Sequence, residues 1–337
     1  VTNPNLAEKA TWKVVSPPPT LAVAEIDALL GPWRGERRVL DVEVLAGGIM
    51  NWNYRFRLAG SAERFVLRFY DRMPASCAKE TRLLELLRDD VPVPHVLFVA
   101  PDGANGRPPF CVLEWIDGIS LRDLRRRGDD RGVADASYDA GRLLPRLMRY
   151  RFDRGGLLDS CLAVTDGPFT DASLVAVVEE LTSDARFRQR VDEPLRAQLH
   201  ALLRATESFH AVTGPPTLVH GDFNSPNIFV HQVGGRWSVA AILDWEFAFA
   251  GSILCDVGNM LRYERADRPR YEPHFSRGLA DGGWQLPDEW FLRARLADLP
   301  ALCELLARDD VPDAIVFELL DLVRGTIGSW DFARDGS

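Results

Sequence analysis

Three side chains between Leu218 and Glu246 have the types and spacing that phosphoryl transfer needs. The stretch reads LVHGDFNSPNIFV, a short spacer, then AAILDWE. Asp222 closes the polar loop His220-Gly221-Asp222, and Asn227 follows five positions later. A second apolar run, Ala240 to Leu243, delivers Asp244 directly before Trp245 and Glu246. Two short strand-like runs therefore set carboxylates and an amide at loop edges. In phosphoryl transfer one carboxylate orients or accepts the proton of the attacking hydroxyl, while an amide and a further carboxylate hold the divalent metal on the nucleotide phosphates. A lone Asx residue more often caps a turn; the set of three, in this order, carries the reading.

HGDxxxxN followed by an apolar strand ending in DWE resembles the aminoglycoside phosphotransferase/choline kinase family, small-molecule kinases with a protein-kinase-like fold. That resemblance implies an α+β, bilobal protein: an N-terminal antiparallel-sheet lobe over about residues 1–116 that binds nucleotide and ends in the hinge, and a mainly helical C-terminal lobe over about 117–337 that carries catalysis and the acceptor. It implies Asp222 as catalytic base and Asn227 and Asp244 as Mg2+ ligands, with Glu246 near the substrate or the metal. His220 and Gly221 would shape the loop, and Asp256 would support it. The donor implied is ATP, with GTP not excluded because a hinge reads the base through its backbone. The acceptor is a hydroxyl on a small molecule, foremost an antibiotic such as an aminoglycoside or another hydroxylated natural product. Choline, homoserine or a sugar is the next choice, and a nucleotide-binding regulator without turnover is the alternative of a different class.

The elements that must position these groups are readable from period and punctuation. Residues 1–20 end in SPPPT, and Pro17 to Pro19 exclude a helix interior there. Thr20 is placed to cap a helix whose apolar residues run from Leu21 to Leu30, with Gly31-Pro32 as its end. From Arg38 the period becomes strand-like: strand, Gly47-Gly48 turn, strand, then ERFVLRFY after Gly60-Ser61. A glycine pair between strands can bring backbone N–H groups to phosphates, although it is also a plain hairpin turn. Neither GxGxxG nor a Walker A motif occurs. Asn51 is a further candidate contact of that loop.

Arg68 lies mid-strand where kinase-like folds place a cation, usually Lys, on the phosphates. Arg is a planar fork and Lys a point charge, so the phosphate geometry must differ. The alternation of Phe65, Leu67 and Phe69 against Val66, Arg68 and Tyr70 leaves an exposed, cross-strand-paired Arg equally open. On the helix SCAKETRLLELLRDD either Glu80 or Glu85 can pair with Arg68; the family resemblance favours Glu80. PFCVLEWIDG reads as a strand running into the hinge, and the resemblance assigns the adenine edge to the carbonyl of Glu114 and the N–H of Ile116. LRDLRRRGDDR reads as a solvated helix end, since no aromatics interleave its charges. Helices follow at about Val133–Met148, Ala172–Thr182, Glu193–Ala211, from Gly251-Ser252 onward, Glu289–Arg308 and Val311–Ser329.

Composition bounds the rest. The 337 residues are 46% hydrophobic and 26% charged, an ordinary globular balance. No apolar run approaches a membrane span, and the start VTNPNLAEKATWK has neither an apolar core nor a basic leader, so a cytoplasmic protein without export signal or membrane partner is expected. Five scattered Cys without CxxC pairing read as reduced and mostly buried. The net charge of −9 speaks against a nucleic-acid partner and suits a cationic substrate. Only Lys9, Lys13 and Lys79 are lysines among the 40 basic residues, so tasks usually given to Lys fall to Arg.

Overall fold

The computed structural model describes residues 18–45, 51–166, 174–206, 214–264 and 269–335, with side chains to 330. Gly47 and Gly48 lie outside the described residues, as does the tail of the expected Glu193–Ala211 helix.

The strand-period region gives a five-stranded antiparallel sheet, preceded by two short helices, α1 (Val23–Leu29) and α2 (Gly31–Arg34). Its strands are β1 (Val39–Val44), β2 (Trp52–Leu58), β3 (Arg64–Phe69), β4 (Val96–Ala100) and β5 (Phe110–Glu114), ordered β1-β2-β3-β5-β4, with α3 (Ser76–Leu87) between β3 and β4. Register pairs Arg68 with Asn53 on one side and Cys111 on the other. Both faces of β3 are covered, which settles its alternation. Phe65, Leu67 and Phe69 join Tyr54, Phe56 and Phe110 against Ile26 and Leu30 of the first helix. Arg68 and Tyr70 face α3 and the cleft, and both are buried. Burying each such aromatic contributes roughly 1.5–3 kcal/mol, so a charge left on this sheet must be held there by partners.

Thr20 is not the cap of the first helix. Ala22 takes that place and Glu25 accepts its N–H at 2.9 Å. The first helix ends at Leu29, just ahead of Gly31-Pro32 as expected, and that pair also opens α2, where the missing Pro N–H costs nothing.

Beyond residue 114 the chain is mainly helical. β6 (Ile119–Ser120) leads into α4 (Leu121–Arg126) and α5 (Asp130–Leu143). The expected Val133–Met148 helix breaks at Leu143, and Pro145 sits in the 3-10 turn Leu144–Arg149 that follows. Nor is the LRDLRRR run wholly solvated: Leu121, Leu124 and Arg125 are buried, and the Arg125 guanidinium donates to the Pro269 carbonyl and stacks on Tyr271. Then come β7 (Gly156–Leu157), α6 (Leu174–Ser183), α7 (Ala185–Arg190) and α8 (Glu193–Ala205).

The organising stretch forms β8 (Thr217–Val219), β9 (Ile228–Val233), β10 (Arg236–Ile242), a 3-10 turn over Trp245–Phe247 and β11 (Phe249–Gly251). It builds two three-stranded sheets, β10-β9-β6 and β7-β11-β8. The chain ends with α9 (Ile253–Leu261), capped by Ser252, then α10 (His274–Asp281), α11 (Trp290–Ala307) and α12 (Asp313–Asp335). One core runs from α3 through α5, α9 and α10; a second joins α6, α7, α8, α11 and α12. Of the cysteines, Cys77, Cys111 and Cys303 are buried thiols, Cys255 is half-buried and Cys161 exposed. No described helix is long and apolar enough to cross a membrane.

Candidate active site

Arg68 is the hub of the cleft between sheet and helices. Strand β3 holds it 7% exposed, where an unpaired guanidinium would be prohibitively costly. Its Nη1 donates to Asp244 Oδ1 at 2.5 Å, its Nε lies 3.1 Å from Glu80 Oε2, and its Nη2 is 3.9 Å from Glu246 Oε2. Burial works to lower the Arg68 pKa, but the Glu80 and Asp244 carboxylates outweigh it and hold the group firmly charged. Glu80, in the second turn of α3, also accepts from Tyr70 Oη at 2.6 Å and from the Trp245 N–H at 3.1 Å. Burial pushes its carboxyl up, and Arg68 pulls it back. Glu85, the alternative partner, is exposed.

Glu246 is 3% exposed and accepts from Asn51 Nδ2 at 2.6 Å. Burial raises its pKa to about 7 against the pull of Arg68. Asn51, a candidate contact of the glycine loop, thus reaches the DWE segment. Lys79 also lines the cleft: Nζ donates to the Ala248 carbonyl at 3.2 Å, and burial lowers its pKa. Lys79 carried no signal in the sequence, because its neighbours, Ala248 and Glu246, lie far along the chain.

The His220-Gly221-Asp222 loop is held from beneath. Asp256, on the first turn of α9, accepts the His220 N–H at 2.8 Å and the Gly221 N–H at 3.0 Å, one on each carboxylate oxygen. Asp256 is fully buried, and burial raises its pKa to about 7 although both N–H groups favour the anion. His220 Nδ1 accepts the Asp222 N–H at 3.1 Å, so Nε2 carries the proton given to the Leu243 carbonyl at 2.9 Å. The ring is therefore a neutral strut joining the two halves of the site. Gly221 has φ +81°, and a Cβ there would meet the Phe247 carbonyl at 2.5 Å, so only glycine fits.

Asp222 presents its carboxylate to two amides. Asn224 Nδ2 donates to Oδ1 at 2.6 Å and Asn227 Nδ2 to Oδ2 at 2.8 Å. The Leu243 N–H bonds the Asn227 carbonyl at 2.9 Å, which sets Asp244 beside Asn227. Asp244 sits in the left-handed region, φ 65° and ψ 62°, with its side chain 38% exposed toward the cleft. Such backbone conformations in a non-glycine residue are sparse and cluster at functional sites. Asp222, Asn227 and Asp244 line one cleft of about 1880 Å³ together with Arg68, Glu80, Glu246, Glu114 and Ile116. At its hinge end the Glu114 N–H bonds the His95 carbonyl at 3.0 Å, and Trp115 packs beneath Arg55 and Arg64.

The family model of the phosphotransferase enzyme family matches residues 41–307, which span both the sheet and the site. The chain belongs to this family. Solved structures agree in fold. A thermostable mutant of aminoglycoside phosphotransferase APH(4)-Ia, in ternary complex with AMP-PNP and hygromycin B, superposes with a TM-score of 0.64 at 17% identity, covering 90% of this chain and 98% of that one. The GDP and kanamycin complex of APH(2")-IIia gives 0.66 at 20% identity, covering 89% and 98%. Wild-type aminoglycoside 2'-phosphotransferase-IIIa with GDP gives 0.67 at 19%, covering 92% and 99%. Among curated proteins, acyl-CoA dehydrogenase family member 10 of Mus musculus is 28% identical over 181 residues; the match spans 53% of this chain but 16% of that protein.

The family implies a nucleotide and a divalent metal, and the groups present fit both. Asn227 and Asp244 offer the hard oxygen donors that Mg2+ takes. Among the described residues no set of three or more His, Cys, Asp or Glu is placed to hold a metal, so phosphate oxygens and water would complete the shell. Arg68 Nη2 is a buried donor without a hydrogen-bond acceptor, the kind of group that a phosphate oxygen satisfies.

Proposed function

We propose that this phosphotransferase transfers the γ-phosphoryl group of ATP, with Mg2+, to a hydroxyl of a small molecule. When bound, Mg-ATP supplies the phosphoryl group and neutralises its own developing charge. Asp222 receives the hydroxyl proton as the acceptor oxygen bonds to the γ-phosphorus and the bond to the bridging oxygen breaks, releasing ADP. Asn224 and Asn227 fix the Asp222 carboxylate by donating one amide hydrogen to each oxygen. Asn227 and Asp244 offer oxygens to the metal, Arg68 meets phosphate, and Glu80 aims Arg68. The Glu114 carbonyl and Ile116 N–H read the purine, with residues 1–116 and 117–337 as the lobes on either side. Catalysis then rests on positioning and charge rather than on covalent chemistry.

The observation that carries this reading is the meeting of Asp222, Asn227 and Asp244 in one cleft that also holds the Arg68 hub. The open carboxylate of Asp222, set in the cleft beside Asn227 and Asp244, supports turnover over a silent nucleotide-binding role. The neighbours described with GDP leave GTP as the second donor. Those holding hygromycin B and kanamycin support an antibiotic acceptor, with resistance by phosphorylation as the outcome and the cytoplasm as its place. A nucleotide-consumption assay over hydroxylated acceptors tests the reading. Turnover should fall by roughly 10²–10⁴ in Asp222→Ala with Mg-ATP binding retained. Binding without turnover on any acceptor would favour the regulator.

A further inference from the structure

The cleft holds a lysine that the proposed transfer does not yet use. Among the described residues Lys79 is the only lysine. It stands on α3 immediately before Glu80, and the two side chains go to different groups. Glu80 turns to Arg68 and Tyr70, while Lys79 turns to the segment after DWE. There its Nζ donates to the Ala248 carbonyl at 3.2 Å, and the side chain lines the cleft. A carbonyl holds an ammonium in place but does not neutralise it. Burial disfavours the charged form of Lys79, while the Glu246 and Glu80 carboxylates favour it. Two contacts tie this ammonium to the Asp222 side of the cleft. Phe249 pairs with Val219 in the antiparallel β11–β8 ladder, so Ala248 comes level with His220. One residue earlier, Phe247 backs onto the same loop, since a Cβ on Gly221 would meet its carbonyl at 2.5 Å. The carbonyl that Lys79 grips is therefore anchored beside the loop that carries Asp222.

The other cation of the site is divided among carboxylates. Arg68 reaches Asp244 and Glu80 and lies 3.9 Å from Glu246, so much of its charge is already answered within the protein. Phosphoryl transfer spreads negative charge over three oxygens while the attacking and leaving oxygens stand in line. That group must lie within reach of Asp222, on the side of the cleft where Lys79 is tied. An ammonium, a compact point charge on a long stem, suits it without demanding a fixed fork geometry. We propose that Lys79 is a second phosphate-binding cation and that its ammonium meets an oxygen of the γ-phosphoryl group; this rests on the phosphotransferase reading above. Lys79 gives up no proton in the step. The bonds made and broken are unchanged: acceptor oxygen to γ-phosphorus, proton to Asp222, ADP released.

The test compares two nucleotides that differ in the γ-phosphoryl group. Mg-AMP-PNP and Mg-ADP are titrated calorimetrically into the full chain and into Lys79→Gln and Lys79→Met. The Gln amide can keep a hydrogen bond to the Ala248 carbonyl but carries no charge, so it separates holding that segment from meeting phosphate. Lys79→Met keeps an apolar stem without the hydrogen bond and repeats the comparison should the Gln variant not fold. The neutral variants should weaken Mg-AMP-PNP by about tenfold or more and Mg-ADP by less than about twofold. A purely structural lysine would move both nucleotides together. The proposal is overturned if Lys79→Gln binds both nucleotides as the wild type does, or if the variants lose affinity for the two by the same factor. A wild-type chain that binds neither nucleotide with Mg2+ would instead sink the phosphotransferase reading.

Discussion

At the scale of single residues, Arg68 does work that Lys would do differently. One planar fork spans Glu80 and Asp244 and approaches Glu246, which a single ammonium cannot do with the same geometry. Arg68→Lys should therefore fold but weaken Mg-ATP binding by about tenfold in titration calorimetry. Arg68→Ala leaves Glu80 and Glu246 buried without their cation, and urea unfolding should show a loss of about 3–5 kcal/mol. Glu246 and Asp256 set a second prediction. Their folded pKa values, both about 7, lie above the ordinary 4.5 and 3.8. Between those limits the folded protein keeps protons that the unfolded chain has released. Their stabilisation is thus complete below the ordinary values and lost as pH rises through about 7. Glu246→Gln removes one of the two titrations. From about pH 5 to pH 8 the wild type should lose on the order of 2 kcal/mol more unfolding free energy than this variant, and parallel profiles would refute the assignment.

At the scale of elements, α9 ties the loop to α11: Asp256 holds the His220-Gly221 backbone, and Arg262 grips Asp298 on α11. Gly258 sets how closely the two helices approach, since a Cβ there would meet the Ala294 carbonyl at 2.2 Å and the Asp298 Cβ at 2.9 Å. Gly258→Ala must push α11 away. It should cost about 1–3 kcal/mol by chemical denaturation and raise the acceptor KM more than the nucleotide KM, because α11 packs on the helices α6, α7, α9 and α12. What sequence disclosed and hid at this scale follows from range. HGDxxxxN and DWE each pack their chemistry into a few consecutive residues, so loop and strand edge were legible. β7 and β11, two and three residues long, carry too little period to announce themselves. The eight-residue α10 went unread for the same reason. Arg68 was ambiguous because its deciding partner, Asp244, lies 176 residues away. The buried pair Arg262–Asp298 was invisible because its partners lie 36 residues apart on separate helices.

At the scale of the whole molecule, the cleft sets carboxylates and cations side by side. Asp222, Asp244, Glu80 and Glu246 line it together with Arg68 and Lys79 as the cations near the phosphate position. A free nucleoside triphosphate would bring several negative charges to Asp222 and Asp244, where the low dielectric magnifies repulsion. In the proposed arrangement Mg2+ held by Asn227 and Asp244 would reverse that sign, and Arg68 would be free to turn from Asp244 toward phosphate. Metal and nucleotide should therefore bind as a unit, with strong positive coupling. The checking measurement is thermal or urea unfolding with ATP alone, Mg2+ alone, and both. At about 100 times its dissociation constant, Mg-ATP should add about 2.7 kcal/mol. Each component alone should add far less, and EDTA should abolish the gain. In Asp244→Asn the dependence on Mg2+ should weaken, because the oxygen donor loses its charge while Arg68 is freed. Equal stabilisation by ATP with and without Mg2+ in the wild type would show that Asp244 serves Arg68 alone and that the metal assignment is wrong.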